Sequence, residues 1–189
     1  DKVFYSHMHA DQTHGINDLR SFFIKNKKPI NIFADYITSR YLKKTFSYCF
    51  TNDNEEYPAT LKLNIISKDL LIKHSGKNIK VKTIKVEHGK VQSICYIIQK
   101  KLAYISDVSM IHNKDFKYFK NLKFLVIDCL WYKNHPSHFN LEKSLEIIKL
   151  FSPKKAILTN LHTDLDYGQL KKILPKNVEP AYDGLTIKL

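Results

Sequence analysis

Apolar and polar positions along this chain repeat with two periods, and the switches between them mark its elements. Lys2 to Ser6 reads as a short buried strand running into a polar, histidine-rich loop, and Ile16 to Asn26 then has helical spacing of apolar residues. Ile30 to Ala34 predicts a second strand, and Tyr36 to Tyr48 a helix with Ile37, Tyr41, Leu42 and Phe46 on one side. A polar loop over Thr51 to Pro58 separates this β-α-β-α opening from a strand-rich middle. There Thr60 to Ile66, Ile79 to Val86, Ser93 to Gln99 and Leu102 to Ile105 read as strands, the last two joined by a turn at Gln99-Lys100-Lys101. A short helix around Phe116 to Phe119 precedes Lys123 to Asp128, whose apolar run predicts a strand buried on both faces. Asn140 is a good N-cap for a helix ending at Phe151, with Pro153 just beyond it. Lys155 to Thr159 reads as a strand, Tyr167 to Leu174 as a helix and Leu185 to Leu189 as a closing strand. Strands and helices mixed in this way predict an α/β or α+β layer fold. With 189 residues and no internal repeat or linker, one domain over 1–189 is expected.

Composition changes this picture little. A hydrophobic content of 43% supports a substantial core, and no apolar run approaches the ~20 residues that cross a bilayer. Neither a basic flank nor a long apolar stretch precedes the first strand, so a cytoplasmic protein without membrane partners is expected. Cys49, Cys95 and Cys129 are odd in number and far apart, which argues against a disulfide framework and predicts reduced core thiols. A net charge of +13 makes anionic partners attractive, although its lysines are spread over the whole chain and equally serve to solvate a surface.

The chemistry is concentrated in the first loop. His7 and His9, two apart in an extended stretch, project to the same side, and Asp11 and His14 follow within a turn. Imidazole and carboxylate together suit zinc, manganese or iron, and a strand-to-helix loop can hold them at a sheet edge. Later in the chain, His88 precedes a glycine at a strand end, and Asp107 follows a strand at a turn.

The stretch from Tyr5 to Arg20, with His7-Met-His9-Ala-Asp11-Gln12, resembles the HxHxDH motif of the metallo-β-lactamase superfamily, in the form found in bacterial cyclic-phosphate phosphodiesterases of the phosphonate-utilisation type. The likeness continues through Val86-Glu-His88-Gly89, Tyr104-Ile-Ser-Asp107-Val108, Asp128-Cys-Leu130, His135-Pro-Ser-His138-Phe, Leu158-Thr-Asn160-Leu-His162 and Ala181-Tyr-Asp183-Gly184-Leu185, in family order over nearly the whole chain. The resemblance implies a four-layer αββα sandwich, here lacking its N-terminal sub-layer because the chain starts on the motif strand. An edge exposed in that way invites pairing, so a homodimer is expected.

By the same resemblance His7, His9 and His88 hold a first divalent metal, Zn2+ or Mn2+, and Asp107 bridges to a second. The second site keeps Asp11, but Gln12 and Asn160 stand where the family has histidines, so that site is expected to be weak or empty. His162, two residues after Asn160, and His14 are candidate substitutes. His138 matches a histidine that sits near substrate, with His135 a weaker case, and Arg20 is a candidate for a substrate phosphate.

The implied reaction is hydrolysis of a small cyclic phosphate ester, the metal lowering the pKa of its water to ~7 so that hydroxide forms at neutral pH. Asp11 would orient or deprotonate the water, and His138 would protonate the departing alkoxide. Two other classes stay open. A degenerate one-metal or non-catalytic metal- or anion-binding remnant would explain Gln12 and Asn160. A tRNA 3′-processing nuclease would suit the charge, but no long insertion or compact basic patch offers a grip on nucleic acid.

Overall fold

The computed structural model describes residues 2–52, 57–74 and 76–189, so residues 53–56 of the expected Thr51–Pro58 loop lie outside the described part. The chain forms two compact units, residues 1–68 and 69–189.

In the first unit, β1 (Lys2–Phe4), β2 (Ile30–Ala34) and β3 (Leu61–Ile65) form a parallel sheet in that order, with Val3 opposite Ile32 and Ile32 opposite Leu63. Alternation along β2 buries Ile30, Ile32 and Ala34 on one face, where they join Tyr5, Ile16, Leu42, Cys49 and Leu61 in a small core. Helix α3 (Tyr36–Thr45) is fixed at its start by Asp35, whose side chain accepts from Thr38 N at 2.8 Å. It ends sooner than its apolar spacing suggests, and Ser47–Cys49 forms a separate 3-10 turn. The expected helix from Ile16 to Asn26 is also divided. A one-turn helix α1 (Ala10–Thr13) leads into a 3-10 segment, His14–Leu19, and only then comes α2 (Arg20–Asn26). Gly15, Asn17 and Asp18 are poor helix formers, and the Asn17 side chain accepts from the Tyr48 hydroxyl at 2.6 Å.

The second unit is built on a seven-stranded sheet. Four strands, β4 (Leu70–His74), β5 (Lys77–His88), β6 (Val91–Ile98) and β7 (Leu102–Ile105), pair antiparallel in succession. From β7 the sheet continues parallel through β8 (Phe124–Asp128), β9 (Lys155–Thr159) and β10 (Val178–Pro180). Gln99, Lys100 and Lys101 form the β6–β7 turn, in which Gln99 and Lys100 have positive φ of 54° and 55° and Lys101 N donates to Ile98 O at 2.9 Å. Strand β8 is buried on both faces, as its unbroken apolar run predicts. Helices α4 (Leu141–Phe151) and α5 (Tyr167–Ile173) complete the unit, with Asn140 capping α4 by accepting from Lys143 N at 2.9 Å. Leu125, Ile127, Phe119, Phe151 and Leu158 lie at the centre of its core. The three cysteines are buried and free, as read from their spacing.

Two strands differ from expectation. Leu70–His74 pairs with β5, and the closing strand expected over Leu185–Leu189 does not form. Val178–Pro180 takes the edge position beside β9 instead, and Ala181 N donates to Leu158 O at 2.8 Å to end the pairing.

This topology decides where chemistry can sit. Strand β5 runs antiparallel to β6 and β6 antiparallel to β7, so β5 points the same way as β7, β8 and β9. The carboxyl ends of all four strands therefore meet one edge of the sheet, the edge where open α/β sheets bind ligands. His88 ends β5, Asp107 follows β7, Asp128 ends β8 and Asn160 follows β9.

Candidate metal centre

In the first unit the histidine pair follows β1. Tyr5 N donates to Phe33 O at 2.8 Å and keeps the backbone extended beyond the strand. His7 is buried, and its Nε2 lies 3.0 Å from Nδ1 of the exposed His9, so the two imidazoles do face the same side. His7 Nδ1 lies 3.0 Å from Ser6 Oγ, which itself donates to Gln12 Oε1 at 3.5 Å. With the serine hydrogen directed at Gln12, the imidazole carries its proton on Nδ1 and presents Nε2 as the ligating nitrogen.

Asp11 sits in α1 and is exposed, and Gln12 Nε2 donates to its Oδ2 at 3.0 Å. Partial burial alone would raise the Asp11 carboxyl. The Gln12 bond, a backbone bond and the nearby His7 and His9 outweigh it and hold the pKa below the usual value. His14 instead packs on α3, with Nε2 3.1 Å from the Tyr41 hydroxyl and its ring against Phe46. Arg20, at the start of α2, borders a cavity of about 400 Å³ lined also by Asn17, Phe23 and Tyr48.

In the second unit the groups are held more closely. His88 is 2% exposed and Asp107 is 1% exposed, and His88 Nε2 lies 3.7 Å from Asp107 Oδ2. His88 Nδ1 donates to Ser137 O at 2.6 Å, which again directs Nε2 inward. Gly89 makes that approach feasible. Its φ is +62°, and a Cβ there would stand 2.8 Å from Ser137 Cβ. His138 Nε2 lies 3.9 Å from the same Asp107 oxygen, and its Nδ1 donates to Asp128 Oδ2 at 2.8 Å. Ligand atoms of His88, Asp107 and His138 all fall within 4.8 Å of one another.

Asp128 is fully buried and is held from several directions. Val108 N donates to its Oδ2 at 3.0 Å, and the Ser144 hydroxyl of α4 donates to its backbone carbonyl at 2.6 Å. Burial pushes its carboxyl pKa up, against the lowering influence of His138 and Val108. Asn160 Nδ2 lies 3.1 Å from Ser106 O, 3.2 Å from Asp107 Oδ1 and 3.3 Å from Asp128 Oδ1. His162 lies elsewhere: its side chain is 46% exposed, its ring leans on Trp131, and its Nδ1 accepts from Asp164 N at 3.2 Å. His135 accepts from Ser137 N at 3.3 Å.

Convergent imidazole nitrogens and a carboxylate oxygen, each oriented by a partner behind it, are the donor set a divalent cation requires. A family model described as the beta-lactamase superfamily domain matches residues 1–160. The chain belongs to that superfamily. Its two sheets and five helices among the described residues match the metallo-β-lactamase fold. A crystal structure described as a new diphosphatase from the PhnP family superposes with a TM-score of 0.85. It is 27% identical, covering 98% of this chain and 69% of that one. Two more distant members share the fold. The protein YhfI from Bacillus subtilis has a TM-score of 0.75 at 18% identity, over 98% of this chain and 76% of its own. The short form of human tRNase Z has 0.70 at 16%, over 99% and 78%. Among curated proteins, the octanoyltransferase of Porphyromonas gingivalis is 27% identical over 190 residues, which is 98% of this chain but 37% of that relative. The chain thus spans little more than a third of that relative's length. Metal binding belongs to this superfamily, and the His and Asp groups fit it.

Asp128, Ser137, Ser6 and Ser144 acquire roles that their sequence positions do not announce. The one legible signal is Asp128, a carboxylate that closes an otherwise apolar, doubly buried strand.

Proposed function

We propose that this chain is a metal-dependent phosphodiesterase acting on a small cyclic phosphate ester. The observation that carries the reading is the His138–Asp128 pair, 2.8 Å apart, whose imidazole Nε2 lies 3.9 Å from Asp107. By the motif order of the family it resembles, His7, His9 and His88 would hold the metal, and Asp107 would be a further ligand. When bound, a divalent cation supplies Lewis acidity toward the phosphoryl oxygens and lowers the pKa of a coordinated water. The chain's own residues do the rest. Asp11, ionised and oriented by Gln12, holds the attacking water by accepting its proton in a hydrogen bond. His138 carries one proton on Nδ1 against Asp128, so a second proton on Nε2 can be delivered to the leaving alkoxide. Asp128 stabilises the imidazolium and fixes its ring, as a buried carboxylate does for a general acid–base histidine. A net charge of +13 favours an anionic ester over a neutral one. The relative described as a diphosphatase makes a phosphoanhydride the second substrate class.

The test is an assay of protein loaded with Zn2+ or Mn2+ against three substrates: a five-membered ribose cyclic phosphate, bis-p-nitrophenyl phosphate and a nucleoside diphosphate. Ring opening of the cyclic ester at the highest kcat/KM supports the proposal. Turnover of the diphosphate alone replaces it with the phosphoanhydride reading.

A further inference from the structure

Asn160 occupies the position where the superfamily resemblance places a histidine of the second metal, and the structure gives it a different occupation. Its φ is +62°, a left-handed conformation that asparagine tolerates better than most residues. That backbone turn follows β9 and carries the carboxamide to the buried carboxylates. Nδ2 then lies within 3.3 Å of Asp107 Oδ1, Asp128 Oδ1 and Ser106 O. A carboxamide has two N–H groups, so one hydrogen is shared among these three acceptors. The opposite amide orientation would direct Oδ1 at two carboxylates and a carbonyl, with no donor among them.

The other oxygens of the two acids are already committed. Asp128 Oδ2 takes Val108 N and His138 Nδ1, and Asp107 Oδ2 faces His88 and His138. Asp107 is 1% exposed and Asp128 0%, so water does little to separate their charges. Two buried carboxylates turned toward one point need a positive group there. A cation is one solution, and an amide N–H pair is another.

We propose that Asn160 is a positioning residue standing in for the second cation: its amide holds Asp107 and Asp128 together, and the centre therefore takes one divalent ion. This rests on the hydrolase reading above in that Asp107 serves a metal. It also makes the site a remodelled one rather than a decayed one, because the lost imidazole has been replaced by a donor that satisfies what the metal would have satisfied.

The experiment compares wild type with Asn160→Ala, Asn160→Asp and Asn160→His, reading metal-free melting temperature and Zn2+ bound per chain. The expected melting order without metal is wild type highest, then Asn160→Ala lower by about 5 °C, the scale of a lost charge-assisted hydrogen bond in a domain of this size. Asn160→Asp should fall furthest, because it adds a third carboxylate, and should recover most on adding Zn2+. Zinc per chain should be one for wild type and rise toward two for Asn160→His. The proposal is overturned if metal-free Asn160→Asp melts with wild type, or if wild type already binds two Zn2+ with Asn160 in place. Absence of any metal binding or turnover in wild type would refute the hydrolase reading instead, and the metal-free melting order would still decide the role of Asn160.

Discussion

The histidine loop of the first unit and the histidine–aspartate set of the second are held by different means. In the first, His9 and Asp11 are exposed on and beside a one-turn helix, and side chains orient them: Ser6 behind His7, Gln12 behind Asp11. In the second, each group is buried or nearly so, and its anchor is backbone or a buried acid: Ser137 O behind His88, Asp128 behind His138. A cluster of buried groups held by a backbone carbonyl and a buried acid keeps its geometry without ligand, whereas an exposed loop held by side chains can adjust to what it binds. The strand-end set should therefore be the rigid one of the two and the loop the adaptable one.

Substitutions can break that contrast. The largest effect is expected for Asp107→Ala and His88→Ala, each lowering metal affinity by more than the ~10–100-fold typical of losing an outer partner, as read by chelator competition. His9→Ala should lower it less, and an equal loss would erase the distinction between the two sets. Next, His138→Ala should slow hydrolysis by about 10²-fold or more with metal content unchanged, and Asp128→Asn by less. If metal content falls with His138→Ala, that histidine is a ligand and not the acid. Gly89→Ala should destabilise the fold by about 1–3 kcal/mol, since it strains a φ of +62° and meets Ser137 at 2.8 Å. Thermal unfolding measures the loss.

The smallest effect concerns pH. Removing the Gln12 donor with Gln12→Leu should raise the Asp11 pKa toward or above the ordinary carboxylate value, because burial then acts with less opposition. A depressed folded pKa stabilises above the unfolded value and that stability is lost as pH falls through the folded one, so the variant, its depression removed, should lack this small contribution at neutral pH and differ least from wild type in acid. Carboxyl titration by NMR, together with the acid limb of the rate profile, reads the shift.

Much of the site was legible because its first residues are crowded together. His7, His9 and Asp11 lie within a few positions, and the period-two rule alone puts both histidines on one side, as their 3.0 Å contact shows. His88 and Asp107 could be placed at strand ends by their apolar neighbours. What could not be read are contacts made by chain segments far apart. Ser137 reaches His88 only because Gly89 has no side chain, and Asn160 reaches Asp107 only through a left-handed turn. The fold shows the same division. Strand β8 and the Asn140 cap follow from local pattern, whereas Leu70–His74, a short apolar run, is equally compatible with helix until β5 pairs with it. Leu185–Leu189 has the composition of a strand, but Val178–Pro180 already holds the edge beside β9.

The most direct test of the account is metal content per chain, by elemental analysis of protein purified without added metal, paired with hydrolysis of bis-p-nitrophenyl phosphate before and after chelation. The account predicts about one divalent ion per chain, turnover that chelation abolishes, and turnover restored by Zn2+ or Mn2+. Protein that takes up no metal on reconstitution and hydrolyses nothing would contradict it.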